Sequence, residues 1–125
     1  MAKLWTYFDH SGGPREDGVF FEELFALEDM AVAAIRSLIL RYQTNELLPS
    51  EDLGELEGSS IRALAHLPLR PPYGVLYAAL PGPGNLFIAL CPVVYLEGKV
   101  APSERSLAEQ RFDRAREGWY GVRGK

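Results

Sequence analysis

Arg62, His66, Arg70 and Tyr73 combine two permanent cations with two side chains able to carry a proton, all within residues 62–73. Arginine can hold an anion or neutralise charge that develops on one. Histidine or tyrosine can move a proton to or from a reacting oxygen. Brought together, the four would line an anion-binding pocket with acid–base capacity. The competing reading is exposed arginines, a solvated strand histidine and a half-buried packing tyrosine. A second basic group, Arg105, Arg111 and Arg114, follows near the end of the chain, and Arg111 and Arg114 are spaced to share one helix face. Ordinary solvated surface is the alternative for these three.

Charge is divided unevenly. Residues 1–60 carry 4 basic and 12 acidic side chains, a balance of −8, whereas residues 61–125 carry 9 basic and 5 acidic, a balance of +4. Such asymmetry can mark an anion-binding half. Two mixed faces of one domain would produce it equally. The pI near 5.2 is low for a protein that grips RNA mainly through phosphate charge.

Other chemistries have less behind them. Cys91 is the only cysteine and sits in the apolar run LFIALCPVVYL, with no basic neighbour in sequence to activate a thiolate. It reads as strand packing. His10 and His66 are too few and too far apart for a metal motif. PGPGN lacks the lysine and following helix of a phosphate loop, and the acidic run from Glu51 to Glu57 lacks the ligand spacing of a calcium loop. No Ser-His-Asp signature is present. No metal or cofactor is expected.

The elements that must position these residues can be read from periodicity. Residues 4–8 alternate as a short strand, and SGGPREDG is a loop with Asp17 as helix N-cap. Phe20, Leu24 and Leu27 give a helical face. A second helix from Glu28 or Asp29 to about Asn45 carries Ala31, Ile35, Leu38 and Tyr42. With almost no connection between them, the two should form an antiparallel hairpin. SEDLGELEGSS, acidic and turn-rich, reads as a loop. Ile61, Ala63, Ala65 and Leu67 alternate as a strand packed on one or both faces. Residues 74–80 and 86–94 are the clearest strands and should pair across PGPGN, with Pro92 signalling an early end, a bulge or an edge. Pro102 opens a last helix carrying Ala108, Phe112, Ala115 and Trp119.

The expected fold is α+β: a small antiparallel-rich sheet with an N-terminal helical hairpin and a C-terminal helix, the helices packed on one sheet face. At 125 residues, with 47% hydrophobic and 24% charged side chains, residues 1–125 form a single domain. No apolar run approaches the ~20 residues that span a membrane. The N-terminus lacks a signal-peptide core, so a cytoplasmic location is expected.

That element order, together with GVFFEELFAL, GELEGSSIRAL, YGVLYAALPGPGNLFIAL and APSERSLAEQR, resembles the RelE/HigB/ParE superfamily of bacterial toxins. The likeness covers most of the chain, and the order of the motifs carries it. Matched residue by residue, Tyr73, Tyr77, Pro102 and Arg111 agree with the family pattern. Its Tyr-Arg falls on Tyr73-Gly74, its Glu-Leu-Arg on Ala63-Leu64-Ala65, and its Lys-Lys near Leu96-Glu97, with Lys99 the nearest substitute.

The resemblance implies the toxin of a type II toxin–antitoxin pair that cleaves messenger RNA on the translating ribosome without a metal. Attack by a ribose 2′-hydroxyl on the adjacent phosphate needs cations where negative charge develops. On this reading Arg70, Tyr73 and Lys99 are catalytic candidates, with His66 as general acid or base. Arg62, Tyr77, Arg105, Arg111 and Arg114 would bind RNA. The expected partners are an antitoxin of helix-turn-helix type, the ribosome and the message. The replaced basic positions support a second reading, a phage-derived or other protein-binding module that kept the fold and lost the nuclease. The ParE branch, which acts on gyrase, is its precedent.

Overall fold

A computed structural model describes residues 4–9, 18–66, 72–80, 86–95 and 99–116. Strand β1 (Leu4–Tyr7) is followed by helices α1 (Val19–Phe25) and α2 (Asp29–Gln43), then strands β2 (Asp52–Glu55), β3 (Arg62–His66), β4 (Tyr73–Ala79) and β5 (Leu86–Val94), and helix α3 (Pro102–Ala115). The fold is α+β. The five strands form one mixed sheet in the order β1-β5-β4-β3-β2, in which only the β1–β5 pairing is parallel. Asp17, Arg70, the PGPGN turn and Trp119 lie outside the described residues.

Helix α1 is capped from a distance. Its N-cap is Gly18, whose position has no side chain to give, and Asp9 Oδ1 accepts the Val19 N–H at 3.2 Å. A Cβ at Gly18 would stand 2.6 Å from that same oxygen, so glycine is what lets the cap approach. Helix α2 buries Ala31, Ile35, Leu38 and Tyr42, as its spacing requires. It stops where Asn45 takes a left-handed φ of 61°, a conformation that ends helices and that asparagine tolerates.

Two expectations are corrected. First, the acidic stretch is not wholly loop: after a short 3₁₀ turn at Pro49–Glu51 the chain enters β2, an edge strand against β3. Its short length and its charged Asp52 and Glu55 suit a sheet edge, where unpaired backbone must be shielded from other chains. That composition hides it among turn signals. Second, the helices do not share one sheet face. Helices α1 and α2 bury Phe20, Leu24, Ile35 and Leu38 against Leu64, Val75 and Tyr77. Helix α3 buries Ala108, Phe112 and Ala115 against Ala63, Ala65, Leu76 and Ala78. Strands β3 and β4 are apolar at successive positions, so both faces need covering. Each fully buried aliphatic side chain contributes about 1.5–3 kcal/mol to that covering.

Pro92 is accommodated because β1 reaches only as far as Ala89 along β5. The bulge lies two residues before the proline. Leu76 faces Cys91 and Tyr77 faces Ala89, leaving Leu90 as the extra residue.

Candidate functional site

The β3–β4 register sets Arg62 opposite Tyr77 and His66 opposite Tyr73. Residues 62, 64 and 66 alternate onto one face, and Leu64 places that face under α1 and α2. His66 and Tyr73 are therefore cross-strand neighbours, and Arg62 lies on the same face four residues along β3, opposite Tyr77. Arg70 lies outside the described residues.

His66 is anchored by a residue the sequence did not single out. Its Nδ1 lies 3.2 Å from Glu51 Oε2, on the 3₁₀ turn before β2. Glu51 is only 2% exposed, whereas the His66 side chain is 29% exposed. Both terminal guanidinium nitrogens of Arg41, on the last turn of α2, bond the Glu51 carboxylate, one of them at 3.0 Å to Oε2. The Leu48 N–H donates to Oε1 at 3.1 Å. Arg41 Nε in turn donates to Ser37 Oγ at 3.0 Å, one helical turn earlier. The bond from Arg41, followed by those from Leu48 and His66, outweighs burial and holds the Glu51 carboxyl below the usual carboxylate range. A carboxylate that would be costly to bury alone is thus fully paired. No local motif marks Arg41 and Glu51 as partners. The turn that reverses the chain between them is what joins them.

Beside this group the face becomes an aromatic core. Tyr77 is fully buried, with Trp5, Tyr42 and Phe87 ring centroids 5.2–6.0 Å away. Burial, reinforced by a hydrogen bond with Tyr42, pushes its hydroxyl well above the ordinary tyrosine range. Arg62 Nε donates to the Tyr77 hydroxyl at 3.3 Å. Tyr77 is therefore placed as a buried support for Arg62, away from any surface that RNA could touch.

The other expected residues are dispersed. Lys99 is exposed. Arg105, Arg111 and Arg114 belong to α3, which packs against the opposite face of the sheet from His66. Arg105 pairs with Glu109 at 3.5 Å, and Arg114 is exposed. Arg111 is buried: its NH1 donates to Leu90 O at 2.8 Å and its two terminal nitrogens grip Glu23 at 2.7 Å each. The β5 bulge frees the carbonyl that Arg111 uses, and the arginine ties α3 to α1. It is placed as a structural clip.

The small residues at positions 63, 65 and 74 have physical reasons. Ala63 and Ala65 are fully buried beneath α3. A Cβ at Gly74 would stand 2.0 Å from Leu64 O and 2.6 Å from the Tyr95 ring, whose hydroxyl donates to Leu64 O at 3.3 Å. Tyr95 fills the space that any side chain at position 74 would need. Cys91 is buried, and burial pushes its thiol up to about 12, which leaves it protonated and packed.

Among the described residues no group of three or more His, Cys, Asp or Glu side chains is placed to hold a metal, and no helix is long and apolar enough to cross a membrane. A separate groove of about 630 Å³ opens between α1 and α2, lined by Tyr7, Phe21, Phe25, Arg36 and Leu40. Phe25 and Leu40 are more than half exposed there. No protein-family model matches the chain, and no curated protein proves significantly similar to it.

Proposed function

We propose that the chain is a RelE/HigB-like toxin that cleaves messenger RNA without a metal, with His66 as its proton-transfer group. One observation carries this reading. A partly exposed imidazole, held from behind by a buried carboxylate, stands across the strand pair from Tyr73 and on the same face as Arg62. In the reaction His66 takes the proton of the ribose 2′-hydroxyl as that oxygen attacks the neighbouring phosphorus. The bond from phosphorus to the 5′-oxygen breaks, leaving a 2′,3′-cyclic phosphate. The departing oxygen collects a proton from Tyr73 or from the imidazolium. Arg70 supplies the cation on which the developing phosphoryl charge depends. An acidic protein of this kind relies on the ribosome to present its substrate, and on a helix-turn-helix antitoxin to restrain it.

RNA integrity in a translating bacterial extract tests the reading. Wild-type protein should cut translated messages, and His66→Gln should slow cutting by roughly 10²–10⁴-fold. Equal cleavage by both proteins would remove His66 from the mechanism.

The groove between α1 and α2 favours a second reading, a protein-binding module without nuclease activity. Clustered exposed Phe25 and Leu40 suit a protein contact more than an RNA one. Intact RNA together with a stable complex that Leu40→Asp abolishes would establish it.

A further inference from the structure

Glu51 receives two bonds on each carboxylate oxygen: Arg41 and Leu48 N–H on Oε1, Arg41 and His66 Nδ1 on Oε2. An ionised carboxylate can only accept, so each of these partners must donate. We infer that Glu51 is a positioning residue that fixes the tautomer of His66, placing the proton on Nδ1 and leaving the Nε2 lone pair as the free base. Arg41 is its necessary second. By bonding both oxygens it keeps Glu51 ionised and fixed, so the carboxyl has no proton of its own to offer the ring. The catalytic consequence rests on the nuclease reading above. The tautomer does not.

A purely structural role would look different. The Arg41 fork and the Leu48 N–H already tie α2 to the turn before β2, and that clamp is complete without the histidine. Buried ion pairs are in any case weak sources of net stability compared with apolar packing. The contact to His66 adds direction. A neutral imidazole donates from one nitrogen and accepts at the other, and the bond made by the first decides the role of the second.

The test begins with the wild-type full chain, ¹⁵N-labelled, and long-range ¹H–¹⁵N correlation of the His66 ring at a pH where it is neutral. A protonated Nδ1 is expected. A ring protonated mainly on Nε2 would overturn the inference without any variant. In Glu51→Gln the amide oxygen can retain Arg41 while the amide nitrogen turns its hydrogens toward Nδ1, so the tautomer should reverse. Cleavage on programmed ribosomes should then fall by roughly 10²–10⁴-fold in kcat with KM unchanged. A folded Glu51→Gln protein that keeps the wild-type tautomer, or loses activity through KM alone, overturns the positioning role. If that variant does not fold, the wild-type tautomer still decides. A wild-type protein with the Nδ1 proton that leaves RNA whole refutes the nuclease and leaves the positioning intact.

Discussion

The two faces of one sheet use the same strands for opposite purposes. Toward α3, residues 63, 65, 74 and 78 are alanine or glycine, and the helix meets them with Ala108 and Ala115. Toward α2, the alternating positions of β3 and β4 carry Arg62, His66, Tyr73 and Tyr77. Small residues allow close approach and leave no room for chemistry. Large polar ones need partners when buried, and here Glu51 bonds His66 while Arg62 bonds Tyr77. The basic residue count of the second half is therefore a poor guide to where an anion could bind, because Arg62 stands on one face of the sheet and the arginines of α3 on the other.

The contrast can be broken most severely at Gly74. Gly74→Arg should destabilise the fold by about 3 kcal/mol or more, since the backbone of Leu64 and the ring of Tyr95 cannot both give way. Urea denaturation would show it, and a folded variant of unchanged midpoint would refute the packing argument. Arg111→Met comes next. It strands the Leu90 carbonyl and releases Glu23, for a loss of about 2 kcal/mol. On the proposed nuclease reading, cleavage by the protein that remains folded should be unaffected, whereas a selective loss of RNA binding would return Arg111 to the functional set.

The α2 face should announce itself in acid. Glu51 titrates below the ordinary carboxylate pKa of about 4.3 in the folded state, so its stabilisation is complete above that value and is lost as pH falls through the folded one. Glu51→Gln should flatten the acid limb of a plot of Tm against pH below roughly pH 5. Parallel limbs for the two proteins would contradict the pairing. The smallest effect belongs to Arg105→Ala, whose partly exposed partner Glu109 lies one helical turn away. Stability should change by less than about 0.5 kcal/mol. A larger change in thermal denaturation would mean that Arg105 does more than hold this ion pair.

Much of the fold was legible because its signals are local. The apolar spacing of α2, the proline-led start of α3 and the apolar runs of β3 to β5 all follow from neighbours along the chain. Strand β2 was not, since an acidic, glycine-bearing segment becomes a strand only when β3 is beside it. The sequence points to Asp17 as the α1 cap, a residue outside the described ones, whereas the Val19 N–H is accepted by Asp9, ten positions away. At the candidate site, the sequence groups Arg62, His66, Arg70 and Tyr73 as residues of one short stretch, and the structure sets His66 opposite Tyr73. Glu51 and Arg41 could not be grouped in that way, because their partnership depends on the path of a turn.

The sequence by itself determined the α+β class, the helix faces and the presence of strands β3 to β5, because hydrophobic period and turn chemistry act over a few residues. Only the tertiary structure decided which cations are free and which are consumed. Arg111 and Arg41 look alike in sequence, each an arginine in the last turns of a helix. Burial against Glu23 made one a clip, and burial against Glu51 made the other the support of a histidine. Pairing a buried charge is a matter of distance in space, and that distance appears only when the chain has folded.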